Sequence, residues 1–341
     1  PDYAEIKKYS GVLYPYNLEV FRERLKEAGM GNQAEAFHRA SGAWSAQLYK
    51  ADIELDLRTR DMAGFQLLDI QDYPGQGSAY IGILDAFMDS KKIITSEKWR
   101  GFCSDIVPLL VTDSFCVKED QGFNGKIEIA NYSGTSLKGK KLIFDLTRME
   151  KNDGNGGGVS TLIKHGEYLI ESDAEGLIDI GKLKIDLPQT DKAWQYLLAL
   201  RVTGTEETNE YDLWSYPAKE QLKELKKGII ITRQLTDEIE KQLNHGASVL
   251  WMPDSASMPN TVGGLFQSDY WNYRMFKTIC ENNKKAVSPG TLGILTDPRH
   301  PIFNEFPTGE YTNWQWFPII KNSRPLILDQ LAKEYRPVIQ V

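Results

Sequence analysis

The spacing of apolar residues gives the chain three textures. Leu18, Phe21, Leu25 and Ala28 recur at helical spacing, and Gly29 or Gly31 then ends that helix. A second helix is predicted over about residues 33–58, carrying Phe37, Trp44, Leu48, Ile53, Leu55 and Leu57. The apolar run at 64–70, just before Pro74 and Gly75, lacks strict alternation and predicts a strand buried on both faces of a parallel sheet. A third helix is predicted over residues 97–110, with Pro108 near its end. A lone buried strand cannot satisfy its own N–H and C=O groups, so this first part reads as a piece of a larger sheet.

From about 114 to 202 the pattern becomes alternating, with short stretches at 126–129, 141–146, 183–187 and 196–200. Turn clusters at 131–134 and 152–158 separate them, and the whole predicts a β-sandwich. After Trp214 a strand at 228–231, a helix at 237–244 closed by Gly246, and a strand at 248–253 predict a βαβ unit. The turn from Thr232 to Thr236 contains no glycine, which excludes a dinucleotide-binding turn there.

The length, 341 residues, suits two or three domains. The net charge of −7 argues against nucleic acid, which needs clustered Lys and Arg. There is no apolar run long enough for a membrane span, and no secretory pattern opens the sequence. Cys103, Cys116 and Cys280 lack metal spacing; they read as small hydrophobes, with a Cys103–Cys116 bridge left open. His38, His165, His245 and His300 are scattered, so neither a metal nor another cofactor is expected. The Asn/Asp/Gly loop at 152–158 lacks the spaced carboxylates of a calcium cage and reads as a hairpin tip.

Candidate chemistry concentrates at 66–77. Carboxylates and amides at the C-terminal end of a parallel strand, before a Pro/Gly turn, occupy the place where α/β barrels carry their active sites. The competing reading is that Asp72 caps the next helix and the turn residues only turn. Asp69 and Asp72 lie three apart, so on a strand they face opposite ways and cannot act on one bond. Tyr311, Trp314 and Trp316 lie among polar residues and suit either a packed core or stacking on a sugar ring. Asn209, Tyr211, Trp214 and Tyr216 read as a seam between the sandwich and the α/β part.

Several stretches resemble one family. AGFQLLDIQDYPGQGSAYIGILDAFMDSK at 63–91, the segment from Gly101 to Ser104 followed by Val107 and Pro108, and GTLGILTDPRHPIFNEFPTGEYTNWQWFPII at 290–320 look like glycoside hydrolases of family 2. The resemblance is to a β-galactosidase-like branch common in Bacteroidetes, and it covers nearly the whole chain. It implies the last part of a (β/α)8 barrel over 1–112, an immunoglobulin-like sandwich over 113–216, and a flavodoxin-like α/β module, truncated at its end, over 217–341.

The implied activity is hydrolysis of a terminal β-linked sugar with retention, by two carboxylic residues about 5–5.5 Å apart. In the family both are glutamates on earlier barrel strands. No residue here aligns with either, so the resemblance implies no catalytic residue in this chain. It places Gln66, Asp69, Gln71, Asp72 and Gln76 at the barrel mouth, contacting sugar or supporting the catalytic pair, with Trp314 and Trp316 as stacking candidates. Many relatives carry a tryptophan where this chain has Gln66, Leu67 and Leu68, a departure that bears on sugar specificity. The implied partners are a β-linked glycan and the rest of the parent chain; the implied setting is periplasmic or secreted, in a Gram-negative bacterium. The alternative is a non-catalytic carbohydrate-binding or structural fragment.

Overall fold

In a computed structural model the described residues are 2–12, 14–73, 80–150, 160–218, 228–254, 258, 260–261, 273–285 and 293–340. The protein is mixed α/β, mostly sheet, with several sheets and no closed barrel among the described residues. Helix α1, Tyr16–Glu27, turns Leu18 fully inward. Helix α2, Ala34–Arg58, buries Ala40, Trp44, Ala46, Ile53 and the charged Glu54. Gly42 lets it close on the next segment: a Cβ there would lie 2.2 Å from Ile93 Cγ2. Helix α3, Ser96–Phe102, is capped by Thr95, whose hydroxyl accepts from Lys98 N–H.

The helix predicted over 97–110 therefore ends early. Residues Ile106–Val111 form strand β1, where Ile, Val and Leu suit a pleated surface. Pro108 is tolerated because β1 is an edge strand, paired to one neighbour. This strand belongs to the sandwich, which thus takes in residues upstream of 113.

Strands β2 (Cys116–Lys118), β3 (Phe123–Asn131), β4 (Lys141–Met149), β5 (Ser160–Leu169), β6 (Gly176–Ile185), β7 (Trp194–Val202) and β8 (Thr208–Tyr216) complete the two sheets. Their orders are β1-β3-β6 and β2-β8-β7-β4-β5. Alternation works as the sequence pattern requires. Tyr196, Leu198, Leu200 and Val202 of β7 and Leu142, Phe144 and Leu146 of β4 meet Ile127, Ile129, Leu183 and Ile185 of the facing sheet in one core.

Further along, β9 (Ile229–Thr232), α4 (Asp237–Asn244) and β10 (Ser248–Trp251) form the expected βαβ unit, with β9 and β10 parallel. Helix α5 is Tyr273–Asn282. Strands β11 (Leu295–Thr296) and β12 (Ile339–Gln340) pair antiparallel, in a sheet separate from β9 and β10. Helix α6 is Phe317–Lys321. Ile294, Phe303, Trp316 and Ile320 form a second core here. The described residues thus contain a two-stranded parallel sheet, β9 beside β10.

Residues 62–70 are a clear departure from expectation. They join no ladder, and the neighbouring contact is a single parallel bridge from Gln71 to Leu84. Asp72 N–H donates to Leu84 O, and Leu84 N–H donates to Ile70 O, so the end of the segment is held from one side, while the chain bends at Leu68 and Ile70. A strand buried on both faces needs neighbours on both. Here Phe65, Leu68 and Ile70 are exposed instead, Leu68 by 73%. The three cysteines are free, so the Cys103–Cys116 bridge is not formed. No described helix is long and apolar enough to cross a membrane.

Candidate functional site

The segment at 62–73 ends in a buried polar cluster. Asp72 is 0% exposed, and its Oδ1 accepts from Gly82 N–H at 2.9 Å and from Lys91 Nζ at 2.5 Å. Lys91 is itself buried and also donates to Gly82 O at 2.9 Å and Tyr80 O at 3.4 Å. These bonds fold residues 80–91 back over the strand end. The fold-back requires glycine at 82, where a Cβ would sit 2.3 Å from the Gln71 carbonyl carbon. Burial lifts the Asp72 carboxyl from its usual range to about 6, against the opposing charge and hydrogen bond of Lys91.

Glu5 enters the same cluster from a 3-10 turn at Tyr3–Lys8. It is 1% exposed; its Oε1 accepts from Tyr9 OH at 2.7 Å and from Ala86 N–H at 3.3 Å. Tyr80 is pushed up to about 12 by burial and then by the charges of Glu5 and Asp72, so all three groups feel one another. Tyr9 is raised by burial first and by Glu5 second. At the edge, His38 Nε2 lies 3.1 Å from Lys91 O, and burial lowers the imidazole's pKa. Lys8 pairs with Asp85 and Asp89 nearby.

Two oxygens of this cluster, Glu5 Oε2 and Asp72 Oδ2, are buried with no hydrogen-bond partner among the described residues. Buried polar atoms are normally satisfied, and an unmet one costs roughly 1–3 kcal/mol, more when charged. Two unmet carboxylate oxygens in one cluster therefore mark a place where donors from outside these residues fit.

The residues singled out from sequence spread along this region. Gln66 is exposed, Asp69 and Gln71 are half-buried, and Asp72 is sealed within the cluster. Gln76 lies outside the described residues. Among the described residues the partners of Asp72 are Gly82 and Lys91 rather than a helix N-terminus. Sequence reasoning missed Glu5 and Lys91. Lys91 is one of a Lys91–Lys92 pair after Asp89 and Ser90, and Glu5 lies in a charged, helix-like stretch, so both read as surface and neither gave a signal.

The stretch around Trp314 is a turn leading into α6, not a strand, so the two tryptophans do not share a strand face. Trp316 packs edge-on against Phe303 and Phe306, and its Nε1–H donates to Thr308 Oγ1 at 2.7 Å. Trp314 stacks on Phe115 at 5.7 Å and meets Trp44 edge-on at 5.2 Å.

The expected seam divides in two. Asn209 and Tyr211 face α2: Glu54 Oε1 accepts from Asn209 Nδ2 at 2.8 Å and from Tyr211 OH at 2.9 Å. Lys50 Nζ donates to Asn209 Oδ1 and to Glu210 O, both at 2.5 Å, and lies 3.4 Å from Glu54. Tyr216 instead reaches the C-terminal part, where its OH donates to Gln315 Oε1 at 2.5 Å. Above Lys50 opens a cleft of about 620 Å3, walled by α2, residues 93–102, β8, Tyr311 and Trp314. Among the described residues no group of three or more His, Cys, Asp or Glu could hold a metal ion.

Residues 121–217 match a family described as a domain of unknown function, DUF8488, and residues 230–341 match another, DUF8487. The first falls on the sandwich and the second on the C-terminal α/β part. No curated protein matches. Among solved structures, the sporulation control protein Spo0M of Bacillus subtilis is similar at 10% identity over 34% of this chain and 51% of that one, with a TM-score of 0.24. An engineered protein is similar at 7% identity over 33% and 20%, with a TM-score of 0.20. A superoxide reductase (neelaredoxin) from Ignicoccus hospitalis, carrying a single substitution, is similar at 13% identity over 32% and 78%, with a TM-score of 0.19. This chain thus spans about half the length of Spo0M.

Proposed function

We propose that this chain is the C-terminal part of a retaining exo-β-glycosidase of the family 2 type, whose catalytic glutamates are supplied by a preceding segment. The observation that carries this reading is the segment at 62–73. It is held at its end from one side by Leu84, and exposes Phe65, Leu68 and Ile70 beside two buried carboxylates with unmet oxygens. An exposed apolar segment with bare backbone favours a covering neighbour, and a strand in a parallel barrel has one on each side.

In this reading residues 64–70 form the last barrel strand, the sandwich is immunoglobulin-like, and the C-terminal part is a flavodoxin-like module. Gln66 and Asp69 stand at the barrel mouth, where they accept from sugar hydroxyls or orient the catalytic pair. Asp72 and Glu5 lie beneath, taking donors from the neighbouring strands. One upstream glutamate protonates the leaving oxygen while the other attacks the anomeric carbon and forms the glycosyl intermediate, which water then hydrolyses. A β-linked glycan is the substrate class, in a periplasmic or secreted setting.

The full translated gene product is expected to release nitrophenol from an aryl β-glycoside such as 4-nitrophenyl β-galactopyranoside. The 341-residue chain alone is expected to release none, because it lacks both groups that lower the barrier. Asp69→Asn in the longer protein should lower kcat/KM by about one to two orders of magnitude, as misplacement of a positioning contact does, with little change in melting temperature. Unchanged activity per folded molecule, with a loss confined to stability, would make Asp69 structural. Nitrophenol release by the 341-residue chain, abolished by Asp69→Asn, would overturn the reading altogether.

A further inference from the structure

The cleft above Lys50 is not used by that reading. Its volume of about 620 Å3 lies within the range of roughly 300–1,000 Å3 usual for small-molecule sites. Its walls come from three parts of the sequence that only the fold brings together: α2 with the segment through α3, strand β8, and the turn at 311–314.

The chemistry of the walls is mixed. Lys50 is already committed to Asn209, Glu210 and Glu54, and its ammonium lies 4.0 Å from the centre of the Tyr211 ring, so it offers nothing to an anion. Asp212 of β8 is held by Gln195, whose Nε2–H donates to Oδ1 at 3.0 Å, and it lines the cleft. Burial raises the Asp212 pKa, the mark of a carboxyl short of solvation. Tyr311 is 40% exposed and feels the charges of Asp212 and Glu310, and its ring lines the cleft together with Asp212 and Glu210. Trp314 is fixed by its stack on Phe115, so it contributes a rigid wall and Tyr311 the open face.

We propose that this cleft binds a neutral saccharide of one or two rings, with an apolar C–H face on Tyr311 and hydroxyls donating to Asp212 and Glu210. An apolar ligand would take water from the Asp212 carboxylate and offer it no hydrogen bond in return, which is costly. An anion would meet the carboxylates of Glu206, Glu207, Glu210 and Asp212. A polyamine would be drawn to those acids but would share the space with Lys98 and Arg100. A sugar has an apolar face for the ring, donors for the carboxylates and acceptors for the two cations.

The test is a tryptophan-fluorescence titration of the 341-residue chain with methyl β-galactopyranoside, cellobiose and xylobiose, and separately with spermidine. At least one sugar should give a saturable change at millimolar concentration, weakened about tenfold or more in both Tyr311→Ala and Asp212→Asn. Asp212→Asn is isosteric and keeps the acceptor for Gln195, so its melting temperature should stay at the wild-type value. A response to no sugar, a sugar response unchanged in Asp212→Asn, or saturation by spermidine alone would each overturn the proposal. The readout is binding by this chain, so it stands or falls separately from hydrolysis by the longer product.

Discussion

Lys91→Met is expected to destabilise the folded chain by about 3–5 kcal/mol at neutral pH, the usual cost of removing one partner of a buried ion pair. Both partners are sealed: the side chains of Lys91 and Asp72 are 4% and 1% exposed. Methionine fills the space of the lysine stem but removes the donor to Asp72 Oδ1, leaving a carboxylate whose other oxygen is already unmet. The effect should depend on pH. The Asp72 carboxyl has a folded pKa of about 6 against an ordinary value of 3.8, so the folded state holds the proton longer. Stability from this group is therefore greatest below the unfolded pKa and falls as pH rises through the folded one, by roughly 3 kcal/mol for about two units. Without Lys91 the folded pKa rises further, and the losing window extends upward. Urea unfolding should accordingly show a smaller difference between variant and wild type near about pH 5 than near about pH 7.5. Equal differences at the two pH values would mean that Asp72 is not the group left unpaired.

Glu54→Ala should cost a comparable amount, about 3–5 kcal/mol, for a different reason. Glu54 is the acceptor where α2 meets the sandwich; its loss leaves the Tyr211 hydroxyl without that acceptor and the Lys50 ammonium without its counter-charge, while Asn209 Nδ2 keeps Pro108 O and Lys50 keeps Asn209 Oδ1 and Glu210 O. Burial lowers the Lys50 pKa and Glu54 raises it, so removing Glu54 leaves the charged form of Lys50 less favourable still. A lowered lysine pKa makes the penalty smallest at alkaline pH, where the amine is neutral in both states, and largest below the folded pKa. Adding Lys50→Met to Glu54→Ala should recover part of the loss, and a double-mutant cycle would measure that coupling. Strict additivity would show that the two residues do not act on each other.

Legibility in the sequence followed the range of the interactions. Helix α4 and its flanking strands are readable because a Thr cap, an Ile239/Leu243 stripe and Gly246 act within one turn. The alternation of Leu142, Phe144 and Leu146 likewise announces a sandwich strand before any partner is known. Residues 97–110 mislead because Val107, Leu109 and Leu110 fit a short helix as well as a strand; pairing with β3 decides it, and pairing is non-local. The run at 64–70 forms no strand and is not buried, since pairing and burial belong to neighbours that these residues do not themselves supply. At the site, Asp72 is visible from its place before the Pro/Gly turn. Its environment is not, because Glu5 and Lys91 reach it from far along the sequence. Trp316 looks like a stacking residue by its polar neighbours, yet Asn313 is occupied in capping the turn beneath it.

The identity of the nucleophile tests the central claim most directly. The full translated product, incubated with a 2-deoxy-2-fluoroglycosyl fluoride of the sugar it hydrolyses, should accumulate a covalent glycosyl adduct, as a retaining mechanism requires. Peptide mass spectrometry should then find the label on a glutamate upstream of Pro1. A label on Glu5, Asp69, Asp72 or any other residue of this chain, or turnover with no adduct at all, would contradict it.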